Sequence, residues 1–241
     1  MPRSAILENV IDKRIEIVMT ENKAFSERDA ESAARLYTKA SLREKPVYDA
    51  IKRVGDVVCS ATALIVLSPL FICIMSFIFF TDYKNPIFRQ ERIGKDGKVF
   101  KIWKFRSMRF GAEKELSSLK SLNEDCGVNF KLHHDPRVTR IGEFIRKTSI
   151  DELPQLVNIL KGDMSVIGPR PFVADEQAAL PDERLLVKPG LSCYWQIGGK
   201  NDLPKEEQIA LDHKYIKERS VITDVKIIVK TVLHVITGEN Y

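Results

Sequence analysis

The sequence predicts an α+β chain, predominantly helical, with a small β-hairpin, a membrane-inserted broken helix and surface amphipathic helices. Three observations predict it. Residues 57–80 carry no charge and are interrupted by Ser68-Pro69; ERIGKDGKVFKIWKF reads as two short strands about an Asp-Gly pair; and apolar residues recur every three or four positions over 152–161 and 222–236.

Composition bounds the rest. With 241 residues and 44% hydrophobic content, the chain can bury one core without covalent staples. Its four cysteines, Cys59, Cys73, Cys126 and Cys193, form no CxxC pair, which argues against a zinc site and a disulfide framework and for a reducing compartment. A formal charge of +5 spread over 38 basic and 33 acidic residues suits lipid and phosphate partners and no nucleic acid, since no solid basic tract exists.

Three segments follow: a polar arm over 1–50, the apolar membrane segment over 51–82 and a catalytic region over 83–241. The opening MPRSAILENVIDKRIEIV mixes charges with apolar residues and lacks the layout of a signal peptide. Ser26 before an alanine-rich stretch ending at Leu42 reads as an N-capped helix, with Glu27 and Asp29 in its first turn. Such a helix offers a homodimer contact without requiring one.

In the apolar segment Pro69 removes a backbone donor, so a bend is expected, and the Ser68 hydroxyl can satisfy a freed carbonyl. Arg43, Lys45, Lys52 and Arg53 precede the segment; Lys84, Arg89, Arg92 and Lys95 follow it. A preference for cytoplasmic lysine and arginine draws both ends to one side, as in a helix that enters and leaves the same leaflet. A single span kinked at proline is the alternative.

Asp96-Gly97 suits the positive dihedrals of a tight hairpin turn. Leu153, Leu156, Val157 and Leu160 lie on one helical face, Gly162 stops that helix, and Pro154, acceptable only in a first turn, places its start near Asp151. At the C-terminus Ile222, Val225, Val229, Val232 and Ile236, with Lys226 and Lys230 on other faces, form a basic amphipathic helix that either lies on a membrane surface or packs on the core.

The candidate chemistry centres on RKTSIDELPQLVNILKGDMSVIGPRP. Asp151 and Glu152 at a helix start are by default capping carboxylates, but cations converge on this stretch: Arg146 and Lys147 just upstream, Lys104 and Arg106 after the hairpin, and Arg170 between two prolines that would hold its guanidinium for bidentate phosphate contact. His133-His134-Asp135 before Pro136 reads as a surface turn, and His213 and His234 need no role. Tyr194 and Trp195 either stack on a base or sugar or belong to the core.

The order KRVGD, an apolar block containing SP, RQERIGKDGKVFKIWKFRSM, DPRVTRIGEFIRKTSIDELPQL, GDMSVIGPRP, KPGLSCYWQ and LDHKYIKERS resembles the catalytic core of bacterial monotopic phosphoglycosyl transferases from Lys52 onward. That resemblance implies transfer of sugar-1-phosphate from a UDP-sugar to polyprenyl (undecaprenyl) phosphate, with release of UMP, at the start of surface polysaccharide or glycan synthesis. It implies Asp151 as nucleophile forming a covalent phosphosugar intermediate, Glu152 with Asp151 as ligands of Mg2+, and Lys104, Arg106, Arg146, Arg170 and Asp212 as substrate-site residues. Ser68 and Pro69 correspond to the helix break of a re-entrant, monotopic anchor in the bacterial inner membrane, with the catalytic domain on the cytoplasmic face. SCYWQIGGKND departs from the family's more frequent wording, so the sugar is left open. The rival reading is a non-catalytic membrane-anchored scaffold binding anionic lipid.

Overall fold

A computed structural model describes residues 45–115, 132, 135–197 and 203–237. The chain divides into two compact units, Met1–Arg43 and Glu44–Tyr241, and every described residue lies in the second. The helix expected after Ser26, Cys126, His133, His134 and residues 198–202 lie outside the described residues.

Helices α1 (Pro46–Val66) and α2 (Ser68–Asp82) meet at a bend of 63°. Its cause is local. Pro69 has no N–H to give the carbonyl of Ile65, and the Ser68 hydroxyl donates to that oxygen instead, at 2.8 Å. No single described helix is long and apolar enough to cross a membrane, but the bent pair together meets the length and composition test.

The amphipathy of α1 runs inside out. Val47, Ile51, Val54 and Val58 are exposed, whereas Tyr48, Asp56 and Ser60 are buried against the protein. The buried polar groups all have partners: Asp56 accepts from the Ser165 hydroxyl at 3.0 Å and from the Val166 amide at 2.9 Å, and Ser60 donates to the Asp56 carbonyl at 2.6 Å. Half-helix α2 turns one face, Phe71, Ile74, Met75 and Ile78, onto Phe105, Ile141, Ile145, Ile150 and Leu153. Fully buried side chains of this kind contribute about 1.5–3 kcal/mol each.

Strands β1 (Ile87–Ile93) and β2 (Val99–Phe105) pair antiparallel with Ile87 opposite Phe105 and Ile93 opposite Val99. The hairpin is the expected one with two corrections. Its first strand starts at Ile87, where the Asn85 side chain accepts the Ile87 amide at 2.8 Å, and its connection is the five-residue loop 94–98 rather than a two-residue turn. Asp96 and Gly97 do supply the positive dihedrals, at φ 57° and 75°.

Helix α3 (Arg140–Lys147) is capped by the Thr139 hydroxyl, which accepts the Gly142 amide at 3.0 Å. A side chain at Gly142 would put its Cβ 1.8 Å from the Ser107 carbonyl oxygen, so glycine is what lets α3 lie against the end of the hairpin. Helix α4 (Gln155–Lys161) begins later than the sequence suggested. Residues Ile150–Glu152 form a separate 3-10 turn, entered through Ser149 at φ 56°, and Pro154 stands at the cap of α4. Gly162 ends α4 at φ 91°, as expected.

Strands β3 (Ser165–Ile167) and β4 (Gly190–Ser192) form a short parallel pair that sequence patterning did not predict. The approach is tight: a Cβ on Gly190 would lie 2.0 Å from the Gly168 nitrogen. Between them lies the one-turn helix α5 (Ala174–Gln177), and after them come α6 (Lys205–Glu218) and α7 (Val221–Thr237). Of the predicted stripe, Ile222, Val225, Val229 and Val232 are exposed and the Ile236 side chain lies outside the described ones; Asp224 and Ile227 face inward, so α7 packs on the core by a different face from that stripe. Trp195 is a core residue, packed with Phe172, Leu180 and Cys193.

Candidate active site

The dyad turn sits between the hairpin, the end of α3 and the Gly168–Pro171 segment. Leu153 and Ile150 on either side of the turn face α2, which leaves Asp151 and Glu152 toward the cations. Lys104, the next-to-last residue of β2, places its Nζ 2.7 Å from Glu152 Oε1 and 3.9 Å from Asp151 Oδ2. Arg170, held between Pro169 and Pro171, brings a guanidinium nitrogen within 3.3 Å of the same Glu152 oxygen. Arg146 on α3 is fixed by its Nε donating to the Ser107 hydroxyl at 2.8 Å, and its charge acts on Asp151.

These surroundings treat the two carboxylates differently. Burial would raise Glu152, but Lys104 and then Arg170 more than reverse it and hold the carboxyl down at about 2. For Asp151 burial dominates and pushes the carboxyl above the usual carboxylate range, against the pull of Lys104, with the neighbouring Glu152 charge adding to the rise. One carboxylate therefore has a single oxygen, Oε1, held by two cations, while its neighbour is a buried acid, 9% exposed.

Among the described residues no three His, Cys, Asp or Glu side chains gather as a metal site. Asp151 and Glu152 alone would offer a hard cation two carboxylates and leave the remaining positions to phosphate oxygens and water, a donor set that fits Mg2+.

Of the residues singled out from sequence, the structure brings Asp151, Glu152, Lys104 and Arg170 into contact and sets Arg146 beside them. Asp212 is one step removed: it is buried and accepts from Arg184 at 2.7 Å and 3.1 Å, and Arg184 in turn donates to the Arg170 carbonyl at 2.9 Å. Burial raises the Asp212 carboxyl, with Arg184 opposing. Arg106 contacts neither carboxylate. Past the end of β2 its Nε donates to the Asn85 carbonyl at 2.8 Å, and its guanidinium lies 5.0 Å over the Phe110 ring. Trp195 is enclosed and offers no open face to a substrate, whereas Tyr194 is half-buried, packs edge-on near Tyr215 and donates to Glu218 at 3.4 Å.

Sequence reasoning missed Arg184, which is 5% exposed and lies 4.4 Å over the Phe172 ring. It also missed what the charges of KRVGD do. Arg53 donates to the Ile159 and Leu160 carbonyls at 2.7 and 2.8 Å, closing the C-terminal end of α4, and Lys52 pairs with Asp224 at 2.7 Å. Charged residues one to five positions before an apolar block, spaced to one helical face, were the available signal.

Residues 47–238 match the family described as bacterial sugar transferase. Over 188 residues the chain is 41% identical to an undecaprenyl-phosphate galactose phosphotransferase of Salmonella typhimurium, a match covering 75% of this chain and 39% of that protein. It is 38% identical over 195 residues to the exopolysaccharide production protein ExoY of Rhizobium meliloti, covering 78% and 86%. With the UDP-glucose:undecaprenyl-phosphate glucose-1-phosphate transferase of Escherichia coli the figures are 38% over 206 residues, 78% and 42%. The chain thus spans about two fifths of the Salmonella and Escherichia proteins and most of ExoY.

Proposed function

The chain belongs to the bacterial sugar transferase family, and from that premise we propose that it transfers sugar-1-phosphate from a UDP-sugar to polyprenyl phosphate, releasing UMP, as an early step in making a surface polysaccharide. The observation that carries this reading is the dyad itself: a buried aspartate beside a glutamate already neutralised by Lys104 and Arg170. The names of the relatives, with undecaprenyl phosphate and UDP-sugars in them, supply the substrate classes.

In the first displacement an Asp151 oxygen forms a bond to the β-phosphorus of the donor. The bond from that phosphorus to the oxygen bridging the two phosphates breaks, and UMP departs with the electron pair. Lys104 and Arg170 stabilise the charge that builds on the phosphoryl oxygens, and their contacts with Glu152 keep them in place before substrate arrives. In the second displacement an oxygen of polyprenyl phosphate attacks the phosphorus, and the Asp151 carboxylate leaves. Each transfer thereby involves one partner at a time. Mg2+ held by Asp151 and Glu152 would screen the donor diphosphate and lower the Asp151 carboxyl into its charged form.

The same reading places the bent pair α1–α2 in one leaflet of the inner membrane, with α7 on its cytoplasmic surface. Its support is the inverted amphipathy: apolar stripes of α1 and α7 point away from the protein while Asp56, Ser60 and Asp224 are buried. Cysteines introduced before α1 and after α2 are expected to react with an impermeant thiol reagent from the same side of sealed vesicles; labelling from opposite sides would replace the hairpin by a kinked span.

The activity is tested directly. Purified protein with Mg2+, undecaprenyl phosphate and a panel of UDP-sugars should release UMP with at least one donor, and only when the acceptor is present for repeated turnover. A protein that releases none across the panel acts as a membrane scaffold instead.

A further inference from the structure

Asn158 lies inside α4 with no exposed surface, a costly place for a primary amide unless its polar atoms are used. They are used as if the side chain were a short length of strand. Its Oδ1 accepts the Trp103 amide at 2.9 Å, and its Nδ2 donates to the Lys101 carbonyl at 2.8 Å. A weaker contact from the same nitrogen reaches Asp163 Oδ2 at 3.4 Å. The two strong bonds fall on the edge of β2 that faces α4, one residue before Lys104.

Both ends of the Lys104–Glu152 contact are thereby joined through one residue. The cation follows directly on the strand segment that Asn158 grips, and the carboxylates stand in the turn that leads into the helix carrying Asn158. The two bonds pin this stretch of β2 to α4; a slip by one strand repeat would offer the amide an equivalent pair, but it is opposed by the β1 pairing and would carry Lys104 away by roughly 7 Å. We propose that Asn158 is a positioning residue: its amide sets the Lys104-bearing strand against the dyad turn, and it acts on the reaction through Lys104. In its kinetic form this rests on the proposed activity.

The test is a double-mutant cycle between Asn158 and Lys104, read in turnover and in thermal unfolding of the full chain. Asn158→Ala should lower kcat by about 10- to 100-fold with KM for the UDP-sugar nearly unchanged, the size of loss that a displacement near 1 Å produces. In a Lys104→Met background the same substitution should cost less than about threefold, because the group it places is already gone. A purely structural asparagine would cost the full factor in both backgrounds, and that result overturns the proposal. Asn158→Asp, which keeps the acceptor for the Trp103 amide and loses the donor, runs the same cycle if the alanine variant does not fold. If the wild-type protein turns over no UDP-sugar, the functional reading fails, and the cycle is decided by unfolding midpoints alone: coupled shifts uphold the tie between Asn158 and Lys104, and additive shifts overturn it.

Discussion

Asp151→Asn is expected to abolish UMP release, by at least about 10⁴-fold as for loss of other covalent nucleophiles, and to leave the protein folded. The stability effect has a definite sign. Burial raises the Asp151 carboxyl, so folding favours its protonated form; that contribution is present at low pH and disappears as pH rises above the ordinary carboxylate range and through the raised folded value. Raising the pH in the absence of divalent cation therefore weakens the wild-type fold. The asparagine variant should melt higher than wild type at pH 7.5, and the difference should shrink on acidification toward pH 4. Incubation with UDP-sugar alone and peptide mass analysis locates the adduct. A phosphosugar on any peptide other than the one containing Asp151, or residual turnover in the variant near the wild-type rate, removes the nucleophile assignment.

Lys104→Met carries the second large effect. It deprives Glu152 of its 2.7 Å partner and Asp151 of its 3.9 Å one, and leaves Arg170 as the only cation in contact with the dyad among the described residues. Loss of one preorganised cation from a phosphoryl-transfer site should reduce kcat about 10²- to 10³-fold. Breaking one arm of this half-buried ion pair should also cost on the order of 1–3 kcal/mol. Here the pH dependence runs the opposite way from that of Asp151. Glu152 is held down at about 2, so its stabilisation is present above the ordinary carboxylate range and fades as pH falls through about 2. The gap in melting temperature between wild type and variant should accordingly be widest near neutrality and narrow below pH 4. Unchanged turnover in this variant would make Lys104 a surface charge and nothing more.

How much of this was legible in the sequence depends on the range of the interaction that fixes each feature. The bend at Ser68-Pro69, the positive dihedrals at Asp96-Gly97 and the stop at Gly162 come from the chemistry of one or two residues, and all three were readable. The start of α4 was misread because Pro154 tolerates both a first turn and a cap, and the left-handed Ser149 that opens a separate turn has no signature of its own. The β3–β4 pair was invisible: three residues carry no period, and its specification lies in two glycines 22 positions apart whose backbones meet. Within the site, Asp151, Glu152, Lys104 and Arg170 were picked out by charge and rigid turns. Arg184 was not, since its partner Asp212 lies 28 residues away in an ordinary-looking helix. Arg106 was grouped with Lys104 because both follow the hairpin, but its guanidinium is drawn to the Asn85 carbonyl and the Phe110 ring, away from the carboxylates. The direction of α7 was left open by its periodicity, which marks an apolar face without saying what covers it.

The seating of Ile150 and Leu153 on Phe71, Ile74, Met75 and Ile78 has a practical corollary. Trimming the chain back to Ile87 to obtain a water-soluble fragment would strip the greasy floor from beneath Asp151, and with it the arginine that seals the helix leading away from it. The bent helix pair and the dyad turn are here one piece of architecture, and neither can be handled in isolation.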